Sequence, residues 1–211
     1  MRLEELLEHT RVYLDDATDL IDGDPDSLWP DEVIVRYLNE AQRVLTRRAW
    51  VIIEYGVPPA GVLTLVPDKV LYPLHKSVLR VYDATPSTQV APLGRTTDAA
   101  LRDTSLVGDA FDIGVAASLG GTALTGAPVA GATDAGSRMY RVYPTPTVGQ
   151  NGLQLLLKIA RMPICYLDVA EIDKEPEVPE EWHLALTGYA AGRCLMHPNL
   201  DSQSKADGRE L

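Results

Sequence analysis

Cysteine, aromatic residues, positive charge and long apolar runs are all scarce in this chain of 211 residues. Its two cysteines, Cys165 and Cys194, imply no disulfide framework. The fold must therefore rest on a packed core, which a chain of this length can build unaided. Lys and Arg number 19 against 30 Asp and Glu, a net charge of −11. A protein that grips nucleic acid neutralises phosphates with clustered bases, and one that binds an anionic membrane surface needs the same. Both roles are disfavoured. The longest apolar runs, such as Val51 to Ile53 and Leu155 to Leu157, fall far short of the roughly 20 residues of a membrane span. The N-terminus, MRLEELLEH, is charged where a signal peptide would be continuously apolar. The expectation is a soluble protein made in the cytosol.

The acidity is polarised along the chain. Residues 1 to 32 hold eleven acids and two bases, net −9; residues 33 to 99 hold five acids and eight bases, net +3; the rest holds fourteen acids and nine bases, net −5. One reading is a solvated face plus an Asp-rich loop serving solubility. The other is self-complementarity, in which an acidic face carrying Asp15, Asp16 and Asp19 meets Arg43, Arg47 and Arg48 of another copy.

Hydrophobic periodicity places the elements. Leu3, Leu6, Leu7, Thr10 and Leu14 recur at helical spacing with Glu4, Glu5 and Glu8 outside, and DDATDLIDGDPDS breaks that helix. LWPDEVIVRYLNEAQRVLTRRAW reads as a long helix with Pro30 at its first position. Its acids lie at the positive end of the macrodipole and its arginines at the negative end. Leu28 and Val33 are spaced for a hydrophobic staple, and Ile34, Leu38, Ala41 and Leu45 form the apolar stripe.

After Trp50 the period changes. VIIEYGV, GVLTLV, SVLRVYDA and TQVAPL are short β-branched runs cut by Pro-rich turns, the pattern of antiparallel strands. Residues 96 to 104 are expected to add a turn of helix. Ser105 to Ser137 contains no Lys or Arg, and fifteen of its 33 residues are Gly or Ala; a long, mobile excursion is expected. RMYRVYP and LQLLLKIARMP read as two strands joined by TPTVGQNG, followed by the acidic, extended LDVAEIDKEPEVPEE. A last helix starts at Pro179 and carries Trp182, Leu186, Tyr189, Ala190 and Cys194 as its stripe. DSQSKADGREL can start another.

The predicted class is α+β. N- and C-terminal helices, 1–50 plus 178–211, are expected to pack as a bundle, and 51–177 to form a central antiparallel β region with the Gly/Ala-rich loop 105–137. Together they are expected to make one compact unit rather than independent domains.

No motif carries catalysis. There is no nucleophile elbow and no zinc helix. SLGGTALTG lacks the lysine of a phosphate-binding loop. Adjacent carboxylates such as Glu180 and Glu181 point to different faces of a helix. His183, Cys194 and His197 suggest soft metal ligands, but eleven residues of helix set His183 and Cys194 about 16 Å apart. Cys165 reads as a small core residue, and Tyr37, Trp50, Tyr140, Tyr143 and Trp182 as core aromatics. No cofactor and no metal are expected.

The helix WPDEVIVRYLNEAQRVLTRRAW resembles the signature helix of tailed-phage head-to-tail adaptor (connector) proteins, with an acidic start, a Tyr-Leu-Asn-x-Ala-Gln core and a basic end. SVLRVYDA, MYRVYPTPT, LQLLLKIARMP and VPEEWHLALTGYAAGRCL follow in that family's order, ending with Asp201. Only 105–137 has no counterpart.

The resemblance implies a non-enzymatic structural protein of the virion neck. It would form a ring of about twelve copies that docks on the portal protein, meets a tail or stopper protein and encloses DNA without reading its sequence. Candidates for the inter-subunit interface are Arg43, Arg47, Arg48, Asp15, Asp16 and Asp19. Glu171, Asp173, Glu175 and Glu177 are candidates for an acidic channel wall. The resemblance also implies an arm beyond the last helix that reaches the portal; with the chain stopping at Leu211, the docking candidates are Asp201, Ser202, Lys205 and Arg209. Two other roles stay open at this point, a tail-side stopper or gatekeeper and a tail-associated cell-wall hydrolase using paired carboxylates.

Overall fold

A computed structural model describes residues 1–15, 29–89, 91–95, 125–134 and 138–196. They fall into two compact units, one within Met1–Ile52 and Met162–Leu211, the other within Ile53–Arg161. Among the described residues there are three α-helices, α1 (Leu3–Leu14), α2 (Asp31–Ala49) and α3 (His183–Leu195), and two sheets. The class is α+β.

The first unit is helical. In α1, Leu3, Leu6, Leu7 and Thr10 are buried as the spacing predicts. Its leading N–H groups need acceptors from outside the helix. Leu3 N–H donates to the Lys174 carbonyl at 2.9 Å, and Glu4 N–H to that of Ile172 at 3.1 Å. The helix ends at Asp15 in a left-handed conformation, φ 55°. α2 starts after Pro30 and ends at Trp50, φ 51°, with acids in its first turn and Arg47 and Arg48 in its last. Its buried face is wider than one stripe, taking in Val35, Tyr37, Asn39, Gln42 and Thr46 besides Ile34, Leu38 and Ala41. Leu45 packs at the core's edge. α3 packs against both other helices. Leu3, Leu6, Ile34, Leu38, Leu186 and Ala190 share one apolar cluster, each at 0–1% exposure. At about 1.5–3 kcal/mol per fully buried aliphatic side chain, this cluster is the main source of cohesion in the unit.

Several expectations for this unit change. The turn before α3, Glu180–Trp182, is 3-10 helix. Its tighter winding shifts the phase of the stripe, so His183 is buried and Trp182 is exposed. Trp50 and Cys165 are exposed as well. Residues 162–177, assigned by sequence to the β region, lie in the helical unit, because their backbone is hydrogen-bonded to α1 and α2. Leu28 of the expected staple, the helical turn at 96–104 and any helix in DSQSKADGREL lie outside the described residues.

Among its described residues the second unit has eight strands: β1 (Ile53–Tyr55), β2 (Val62–Thr64), β3 (Leu71–Pro73), β4 (Val78–Pro86), β5 (Gly94–Arg95), β6 (Ala130–Asp134), β7 (Met139–Tyr143) and β8 (Gln154–Arg161). β8 is central to one sheet. β4 runs antiparallel along it, while β1 pairs with Lys158 to Ala160 and β2 with Gln154 to Leu156. Period-two alternation buries Leu155, Leu157 and Ile159 on one face. Arg161 is buried at the end of β8 in an ion pair with Glu54. The other sheet runs β3, β7, β6, β5. RMYRVYP and LQLLLKIARMP are both strands, as predicted, but belong to different sheets. β3 forms where a Pro-containing break was expected. The described residues of TQVAPL form no strand; Gln89 N–H closes a turn onto the Pro86 carbonyl at 2.9 Å.

The Gly/Ala-rich stretch also yields a strand. β6 pairs in full register with β7, from Ala130 opposite Tyr143 to Asp134 opposite Met139. The small residues that argued against a dense core allow a close approach here. A Cβ placed on Gly131 would sit 2.1 Å from the Tyr140 hydroxyl oxygen and 2.5 Å from its ring. Of the stretch, 105–124 and 135–137 lie outside the described residues. Gly131→Ala should destabilise the protein by about 1–3 kcal/mol through overpacking, measured by chemical denaturation. Gly126→Ala, where the added methyl group meets only Pro144 at 3.6 Å, should change stability far less.

Candidate functional site

The Tyr-Leu-Asn-Glu-Ala-Gln core of α2 occupies residues 37–42, and each side chain has an assignable task. Leu38 and Ala41 are buried in the apolar cluster. Tyr37 is buried with the guanidinium groups of Arg36 and Arg193 stacked on its ring, at 5.2 and 5.5 Å from the centroid. Asn39 engages the backbone of Leu167 twice. Its Nδ2 donates to the Leu167 carbonyl and its Oδ1 accepts from the Leu167 N–H, both at 2.9 Å. Gln42 Nε2 donates to the same Oδ1 at 3.2 Å. Glu40 turns to α3, accepting from the Tyr189 hydroxyl at 3.0 Å and pairing with Arg193 at 3.4 Å. Burial, reinforced by Glu40, raises the Tyr189 pKa above its ordinary value. The motif is thus the joint at which α2 holds both α3 and the returning segment 162–178.

That segment is pinned at further points. The Glu177 carboxylate accepts from Cys165 N–H at 2.7 Å and from Ile164 N–H at 3.2 Å, closing the stretch on itself. Asp173 pairs with Arg2 at 3.1 Å, and Glu171 with Lys174. Of the four acids expected on a channel wall, Glu171, Asp173 and Glu175 are exposed and Glu177 is half-buried. Arg11, at the end of α1, donates to the Trp29 carbonyl at 3.2 Å and to Asp31 at 2.6 Å, tying together the ends of the Asp-rich segment.

The candidate interface residues divide in the same way. Arg43, Arg47 and Arg48 are exposed on the second half of α2, and Asp15 is exposed at the end of α1. Asp16, Asp19, Asp201, Ser202, Lys205 and Arg209 lie outside the described residues. Beside α2, Tyr166 and Leu167 border a cleft of about 290 Å³ whose lining includes Arg36, Asn39 and Arg43. Neither the cleft nor the Asn39 clamp is signalled by periodicity. The only sequence hint for Asn39 is its polarity on an otherwise apolar part of the helix.

His183 Nε2 lies 2.8 Å from the Val178 carbonyl oxygen, and its Nδ1 is buried without a hydrogen-bond partner. No group of His, Cys, Asp and Glu among the described residues could hold a metal ion, and no described helix is long and apolar enough to cross a membrane. Burial pushes the Cys194 thiol up to about 11, against a weaker opposing pull from Arg36. The fold therefore favours the neutral thiol, a contribution fully present below about pH 9 and lost as pH rises toward about 11.

Two measurements follow. Thiol titration at neutral pH should find Cys165 reactive and Cys194 protected until the protein is unfolded. Asn39→Ala should cost about 2–4 kcal/mol in urea denaturation, because it leaves both buried backbone groups of Leu167 without partners. Glu171→Gln, at an exposed pair, should leave the transition unmoved.

No curated protein matches the chain. One family, described as SU10 adaptor protein, matches residues 1–210, a span that includes α2, the returning segment and α3. With that match over the whole chain, the protein is a member of the SU10 adaptor family, a phage head-to-tail adaptor family of structural proteins.

Proposed function

We propose that the protein is a component of the virion neck that assembles as a ring of about twelve copies, docks on the portal and extends the DNA channel toward the tail. The observation that carries this reading is the family match across residues 1–210. The separation of charge along the helical unit supports it. A ring closes when one surface of each copy fits a different surface of the next, so the contact is heterologous. The exposed Arg43, Arg47 and Arg48 supply a basic surface and the segment beginning at Asp15 an acidic one. In this reading Asp15, Asp16 and Asp19 of one copy face the arginines of its neighbour.

Glu171, Asp173 and Glu175 are proposed to face the channel. Carboxylates there repel phosphates, so the duplex passes without sticking. Residues Asp201, Ser202, Lys205 and Arg209 are proposed to meet the portal. The work is mechanical, and the helical unit reads as a bundle built to present these surfaces.

Reversing Arg43, Arg47 and Arg48 together to Glu should abolish ring assembly, read by sedimentation and by negative-stain images of the purified protein. All three residues are exposed, so the monomer should keep its fold by circular dichroism. Rings that form as well from the variant as from the parent would contradict the charge-matched contact. In co-sedimentation, the parent protein should pellet with isolated portal rings. Pelleting with isolated tails alone would favour a tail-side stopper.

A further inference from the structure

The cleft on the helical unit has an apolar floor and a cationic rim. Val35, Leu167 and Val169 form the floor; Arg36 and Arg43 stand at the rim, with the guanidinium of Arg43 5.1 Å from the centroid of the Tyr166 ring. Tyr166 is 42% exposed. Positions 36, 43 and 47 fall within about 40° of one another around a helix, so the three arginines make one ridge along α2. Among the described residues none of Arg36, Arg43, Arg47 and Arg48 forms an ion pair. Of the acids bordering the cleft, Asp168 is already engaged, accepting from Ala170 N–H at 3.0 Å. Glu32 lies in the first turn of α2, where its charge complements the helix dipole. The volume suits a pair of aliphatic side chains rather than a folded element, and the rim suits carboxylates next to them.

One segment of this chain has that composition. Residues 16–28 contain Asp16, Asp19, Asp22, Asp24 and Asp26, no Lys or Arg, and one adjacent pair of large aliphatic residues, Leu20 and Ile21, flanked by Asp19 and Asp22. The Arg11 bonds to Trp29 and Asp31 hold the segment's return point against the end of α1. The described residues that flank the segment are therefore tied to one another, which is all that a single insert requires of its two ends.

We infer that the cleft is the socket for residues 16–28 of a second copy, with Leu20 and Ile21 on the apolar floor and Asp19 and Asp22 on Arg36 and Arg43. The inference deepens the ring reading by naming the socket and its occupant, and it rests on that reading for the presence of a second copy.

Cys165 is exposed next to Tyr166 and serves as a built-in reporter. The full-length protein carrying Ile21→Cys is treated with a short bismaleimide at concentrations where rings form, and ring formation is followed separately by electron microscopy. The expected result is cross-linking between chains, seen as a ladder of multimers in denaturing gels. The ladder should vanish with Cys165→Ser. Its yield should fall at least tenfold with Arg36→Glu plus Arg43→Glu, and an added peptide of residues 15–28 should compete it down. Rings that form without cross-linking overturn the socket while leaving the ring reading in place. A cross-link confined to single chains assigns the cleft to the protein's own segment and overturns the inference. Failure of both rings and cross-links overturns the two readings together.

Discussion

The side-chain amide of Asn39 satisfies both backbone groups of Leu167, 128 residues further along the chain. An interior backbone N–H and C=O must find partners, and residues 162–178 form no helix or strand of their own that would supply them. The clamp therefore determines where the returning chain crosses α2. Much follows from that crossing. It sets Tyr166 beside Arg43, and the same segment goes on to offer the carbonyls of Ile172 and Lys174 to the start of α1. It then delivers the chain to α3. Glu40, one residue further along α2, holds α3 through Tyr189 and Arg193. Adjacent residues of one helix thus bind the two pieces of chain that close the unit.

This distribution of tasks explains why an adaptor needs no catalytic residues to carry a recognisable motif. The conspicuous polar residues of the α2 motif act within the protein itself: Asn39 on the Leu167 backbone, Gln42 on Asn39, and Glu40 on Tyr189 and Arg193. What remains outward is charge. The acidic residues 15–28 and the arginine ridge on α2 belong to the same unit, a separation of charge along the chain that the proposed head-to-tail association would use. The net charge of −11, which disfavours a DNA-gripping role, suits the acidic channel wall proposed above.

The helices were legible because their signals are local. Apolar spacing, acids in first turns and bases in last turns all agree for α1 and α2. The 3-10 turn before α3 was not legible, and it moved the stripe from Trp182 to His183. Strands were read where β-branched residues alternate, as in β4, β7 and β8. They were missed where tertiary packing overrides composition: β6 opens with Ala-Gly-Ala, and Tyr140 lies across its Gly131, and β3 is a three-residue strand ending in proline. The exposure of Arg43, Arg47 and Arg48 was legible because it follows from helical phase. The roles of Asn39, Glu177 and Arg11 were not, since their partners lie between 12 and 128 residues away.

The most direct measurement of the central claim is an electron-microscopic reconstruction of the neck in purified virions whose copies of this protein carry a gold-binding tag. The account predicts label in a closed ring at the junction of portal and tail, surrounding the DNA channel. Label at the tail tip, or particles that lack the protein altogether, would contradict it.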